Sequence, residues 1–130
     1  MNVGWGSGNG FTDLSSLVNN QHIHGPTLGN FGNDGTGDFK QTASVLFGLT
    51  RTSNSASNGA ILEGDAGNTI VLSAAQETDL FNGKYYLNVH TVNNGGGEIR
   101  GFLLVPEPTS FGLLAFGALA LVGARRRCRI

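Results

Sequence analysis

The chain has 130 residues, enough for one domain around a single core. Glycine is very frequent (21 residues) and charged residues make up only 13%, a profile that excludes a helical bundle and a charged disordered chain and suits an all-β, turn-rich extracellular domain. The net charge of −1 hides a segregation, because Arg125, Arg126, Arg127 and Arg129 supply half of the eight positive charges; up to Pro108, four positive residues face nine acidic ones, about −5. An acidic domain of this kind excludes nucleic acid as a partner, which requires clustered Lys and Arg. The single Cys128 lies at the far C-terminal end, so the domain holds no disulfide and depends on its sheet core for stability.

Residues 1–10 are rich in glycine and asparagine and read as an irregular leader. Met1 to Trp5 shows no basic n-region and no apolar h-region, so no secretory signal is present there. Phe11 to Asn20 carries Leu14, Leu17 and Val18 and fits one helical turn or a loop closing on the core. Gln21 to Gly25 reads as a short strand ended by Pro26, with His22 and His24 on one face and Ile23 on the other. The Asn30–Asp38 loop, with Asp34 and Asp38, has the oxygen ligands that calcium takes, but it lacks EF-hand spacing and reads more simply as turns. Thr42 to Thr50 is the next strand, with Ala43, Val45, Phe47 and Leu49 on one side. Ser53, Ser55 and Ser57 lie in a polar loop read as solvated surface, without the signature of a nucleophile. Two short apolar pieces, Ala60–Glu63 and Asn68–Leu72, flank a Gly64–Gly67 turn. Ser73 and Gln76 form a capping-box pattern, which predicts a helix over Ala74–Asn82 that places Leu80 and Phe81 on the core and ends at Gly83.

The stretch from Gly83 to Leu104 reads as a β-hairpin. Pairing Val92 with Gly96 leaves Asn93-Asn94-Gly95 as the loop, with Gly95 at the position needing positive φ. That register sets Tyr85, Leu87 and Val89 against Leu103, Gly101 and Ile99 on an apolar face. On the other face it sets Tyr86 against Phe102, Asn88 against Arg100 and His90 against Glu98. Asn88, His90, Glu98 and Arg100 then form a polar network that fixes the hairpin. The competing reading takes His22, His24 and His90 as imidazole ligands to zinc or copper.

Three pieces together resemble a CHRD domain, the chordin-type module of bacterial secreted proteins: His22 to Pro26, Leu80 to Tyr86, and Asn88–Thr91 followed by Gly96–Gly101. The resemblance covers roughly residues 11–104 and implies an antiparallel β-sandwich. It also implies further strands ahead of the His22–Pro26 segment, which are missing here, so the domain is expected to be incomplete at its N-terminus and prone to association. A β-sandwich with an HxH strand resembles, loosely, Cu/Zn superoxide dismutase, although the full dismutase ligand set and its disulfide are not recognisable.

Val105-Pro106-Glu107-Pro108, an apolar run and Arg125-Arg126-Arg127 follow in order within residues 105–130. This tail resembles a PEP-CTERM sorting signal, the tag recognised by exosortases of Gram-negative bacteria. Residues 110–124 are all apolar or small, about 22 Å of helix at 1.5 Å per residue. That falls short of the roughly 20 residues of a comfortable membrane span and suits a transient anchor. The arginines keep to the cytoplasm, which places the domain outside. Since such a tail requires export, the chain is expected to begin inside a longer gene product. The first functional reading is therefore an exported, non-catalytic envelope protein without a cofactor, structural or adhesive in the biofilm matrix, whose partners are an exosortase, the membrane, extracellular polysaccharide and other matrix proteins. Its rivals are a metal-binding domain with dismutase-like redox chemistry and a truncated product without independent function.

Overall fold

The computed structural model describes residues 1–28 and 41–105. Six strands and one helix run in the order β1 (Val3–Trp5), β2 (Val18–His24), β3 (Val45–Gly48), β4 (Gly59–Ile61), α1 (Ala74–Phe81), β5 (Tyr86–Thr91) and β6 (Ile99–Phe102). They form a four-stranded antiparallel sheet, β3-β2-β5-β6, and a two-stranded one, β1-β4. Both sheets feed one apolar cluster of Trp5, Val18, Ile23, Leu49, Ile61, Tyr85, Leu87 and Val89. The described residues are thus mostly β with one short α-helix, as the composition implies.

The first ten residues correct the expectation of an irregular leader. Val3–Trp5 pairs with Gly59–Ile61, and Trp5 is only 1% exposed. The indole fits because Gly59 has no side chain, since a Cβ there would stand 2.3 Å from the ring. Its Nε1 donates to Ser55 O (2.8 Å). The Ser53–Ser57 loop is likewise half-buried rather than solvated surface. Its carbonyls accept from Gly8 N (at Ser57 O, 2.8 Å), Leu14 N (at Ala56 O, 3.1 Å) and Val18 N (at Asn54 O, 2.9 Å), so it anchors the N-terminal segment. Residues ahead of His22 therefore supply β1 and the first half of β2, and Phe11–Leu17 is a loop.

β3 is shorter than expected and irregular. Ile23 pairs with Phe47 but His24 with Val45, so Leu46 is an extra residue in the ladder. The bulge breaks the one-sided pattern, leaving Val45 53% exposed while Leu46 and Phe47 pack on the core. Of the two apolar pieces around Gly64–Gly67, Gly59–Ile61 forms a strand and Asn68–Leu72 forms none.

The helix has its expected start, with both hydrogen bonds of the Ser73–Gln76 capping box in place. It ends one residue early, at Phe81, in a Schellman arrangement: Lys84 N donates to Asp79 O, Gly83 N donates to Leu80 O, and Gly83 takes a φ of 64°. Leu80 packs on the core, whereas Phe81 points outward and is 42% exposed, contrary to expectation.

β5 and β6 pair as the alternation dictates: Tyr86 with Phe102, Leu87 with Gly101, Asn88 with Arg100 and Val89 with Ile99. Leu103 N then donates to Tyr85 O (2.9 Å). The turn differs. The ladder stops at Val89/Ile99, Val92 N donates to Leu17 O (3.0 Å) instead of pairing with Gly96, and the positive φ belongs to Gly97 (108°), not Gly95. Glu98 N donates to Val89 O (2.8 Å), which carries Glu98 away from His90. Its carboxylate accepts from Thr91 Oγ1 (2.6 Å), Ser15 N and Ser15 Oγ (both 2.7 Å) and Asn94 Nδ2 (3.1 Å). The expected Glu98–His90 contact is replaced by a clamp between the hairpin turn and the Ser15 loop.

Trp5→Ala empties the largest buried site and is expected to cost about 3–5 kcal/mol, with Gly59→Ala costing about 1–3 kcal/mol by overpacking, both read by chemical denaturation. The Thr91 hydroxyl, with Ser15 and Asn94, holds the Glu98 pKa down to about 2. A depressed carboxylate stabilises the fold above its unfolded pKa and loses that contribution as pH falls through the folded value. The stability gap between wild type and Glu98→Gln is therefore expected to narrow between about pH 4.5 and pH 2, measured as Tm by circular dichroism.

Candidate functional site: a histidine cluster on the outer sheet face

β2 lies between β3 and β5, and the period of two sends Ile23 to the core and His22 and His24 to the opposite face. Antiparallel pairing aligns His22 with Asn88, His24 with Tyr86 and Asn20 with His90. Continued onto β6, this makes one row of His22, Asn88 and Arg100 and another of His24, Tyr86 and Phe102.

The three histidines converge as the sequence suggested. Their ring centroids are 5.6 Å apart for His22–His24, 5.3 Å for His22–His90 and 5.8 Å for His24–His90. Nδ1 of His22 lies 3.4 Å from Nε2 of His90. One nitrogen from each ring can be chosen so that all three lie within 4.8 Å of one another. Partial burial, then the neighbouring His90 and His24, pushes the His22 pKa down and favours the neutral ring.

Backbone carbonyls fix two of the rings. Nδ1 of His24 sits 2.9 Å from Ala43 O, and Nδ1 of His90 sits 2.8 Å from Gly95 O. A carbonyl oxygen only accepts, so in the neutral ring each Nδ1 carries the proton and each Nε2 keeps its lone pair. Nε2 of His24 is buried and, among the described residues, meets no hydrogen-bond partner.

Aromatic and cationic groups floor the cluster. His24 stacks on Tyr86 (4.9 Å, 7°), and the Arg100 guanidinium lies 3.7 Å from the Tyr86 centroid. Arg100 also donates to Gln41 O, and Tyr86 Oη accepts from Ala43 N (3.1 Å), so residues 41–43 lie against this face. Asn88 donates to Gly96 O (3.0 Å) and fills the space over Gly97, where a Cβ would stand 1.8 Å from its Oδ1. Of the expected polar network, then, Asn88, His90 and Arg100 share this face and bond chiefly to backbone, while Glu98 belongs to the Ser15 clamp. The sequence reading missed Tyr86 as the ring beneath His24, and it missed the Ala43 and Gly95 carbonyls. Only the β2–β5 register makes the first visible, and main-chain acceptors have no side-chain signature.

Val105 alone of the sorting motif is described. Pro106, Glu107 and Pro108, the apolar helix at 110–124, the terminal arginines Arg125, Arg126 and Arg127, and the Asn30–Asp38 loop lie outside the described residues. Among the described residues no helix is long and apolar enough to cross a membrane.

No curated protein and no solved structure matches the chain significantly. Two family models do. Residues 104–127 match the PEP-CTERM protein-sorting motif, the mark of an exported, exosortase-processed precursor anchored in the membrane and bound for the cell envelope. Residues 9–103 match the CHRD domain model. The matched span holds both histidine-bearing strands and far exceeds half of the chain, and on that ground the chain belongs to the CHRD domain family.

Proposed function

We propose that this protein is a non-catalytic surface module, delivered by exosortase processing to the cell surface or extracellular matrix of a Gram-negative bacterium, where its role is structural or adhesive. The observation that carries this reading is the junction at the end of the hairpin. β6 ends at Phe102 and the sorting motif begins at residue 104, so the CHRD domain itself is what the tail delivers. Its surface suits contact with other macromolecules. Val71 is 91% exposed, Val92 65% and Phe11 62%. On the core-facing side, an open apolar cleft of about 540 Å³ runs past Met1, Ile61, Leu80 and Phe102–Leu104. Extracellular polysaccharide and other matrix proteins are the partners this reading names. The hydroxyls of Ser53, Ser55 and Ser57, the loop serines weighed as nucleophiles, are spent within their own loop.

Deleting Val105–Ile130 is expected to abolish membrane retention and processing while leaving the domain folded. In a strain without exosortase, the full-length precursor should accumulate at the membrane. A precursor whose size and location are the same with and without exosortase overturns the sorting reading.

A further inference from the structure

We propose that His22, His24 and His90 form a binding site for one divalent transition-metal ion, zinc or copper, held through ring nitrogens on the outer face of the β2–β5 pair.

The protonation pattern is the first argument. Metal-bound imidazoles usually donate their second ring N–H to a carbonyl or carboxylate, which fixes the tautomer and aims the other nitrogen at the ion. His24 and His90 already have this arrangement, through Ala43 O and Gly95 O. Nε2 of each then keeps a lone pair for an ion, that of His90 facing His22 Nδ1. For His24, which is 8% exposed, that atom is buried and without a partner among the described residues, the state that costs free energy unless a ligand completes it.

Spacing is the second argument. Nδ1 of His22 and Nε2 of His90 are 3.4 Å apart, a long hydrogen bond between two ring nitrogens. That distance is also the separation of two nitrogens on one tetrahedral ion about 2.0–2.1 Å from each. Nitrogens bound to the same ion cannot lie more than about 4.2 Å apart. The 4.8 Å limit of the cluster exceeds the tetrahedral separation, so the widest pair has up to about 1.4 Å to close on binding, through ring rotation at the half-buried His22 and His90.

Chemistry narrows the ion. An all-imidazole donor set selects zinc or copper over calcium and magnesium, which require oxygen ligands. The carboxylate nearest in sequence, Glu98, is committed to Thr91, Ser15 and Asn94. Metal binding would also tie two separate loops to the sheet, because the supporting carbonyls come from the segment before β3 and from the hairpin turn.

The test uses the full chain in detergent, purified without a polyhistidine tag, because the protein has only three histidines of its own. Titration with zinc sulfate and, separately, copper sulfate is expected to give one equivalent bound with a rise in Tm. The copper form should show nitrogen hyperfine splitting from imidazole in its electron paramagnetic resonance spectrum. His22→Gln and His90→Gln, at half-buried positions, should keep the circular dichroism of the wild type and each weaken binding at least about tenfold. Cys128→Ser should bind as the wild type does. Less than half an equivalent bound by the wild type, or undiminished binding by the folded His22→Gln/His90→Gln double variant, overturns the proposal.

Discussion

The pairing of β2 with β5 is the constraint on which the rest of the structure depends. It joins segments more than sixty residues apart and sets Ile23 beside Leu87, His22 beside Asn88 and His24 beside Tyr86. Because side chains alternate across a strand, one register decides two things together. Ile23, Leu87 and Val89 close on Trp5 and Ile61 from the second sheet, while His22, His24 and His90 gather on the far side. A slip of one residue would bury the histidines and expose the core. The cluster is therefore as firmly placed as the hydrophobic centre of the domain.

Legibility in the sequence followed the range of the interactions. The β5–β6 pairing could be read because its two strands alternate cleanly over a short loop, and helix α1 because a capping box and a following glycine are local signals. The hairpin turn escaped because Val92 and Asn93 bond to Leu17 and Ser16, residues far back in the chain. β1 escaped for the same reason. Glycine and asparagine dominate its surroundings, and only the pairing with β4 makes Trp5 a core residue; the sole tryptophan of the chain was the one available hint. In β3, strict alternation failed because a bulge inserts Leu46 into the ladder.

The candidate site shows the same division. The HxH spacing placed His22 and His24 on one face, and His90 was already among the candidates, so the members of the cluster were visible. What holds the rings was not, since Ala43 and Gly95 contribute only carbonyl oxygens. Glu98 shows the opposite error. Alternation assigned it to His90, but the chain path around Gly97 turned it toward Thr91. An acidic side chain that looked like part of a site is a fastening between two loops.

The position of β6 bears on how the domain meets force. Among the described residues it is an edge strand, paired only with β5, and the chain leaves its end through Leu103 and Leu104 into the segment that ties the protein to the membrane. Tension on that tether reaches the bond from Leu103 N to Tyr85 O first and the Phe102–Tyr86 pair next. Pulled outward from that end, an edge strand peels, breaking its ladder one rung at a time. The histidine cluster sits chiefly on β2 and β5, one strand further in, so β6 can yield under load before the central pair is disturbed.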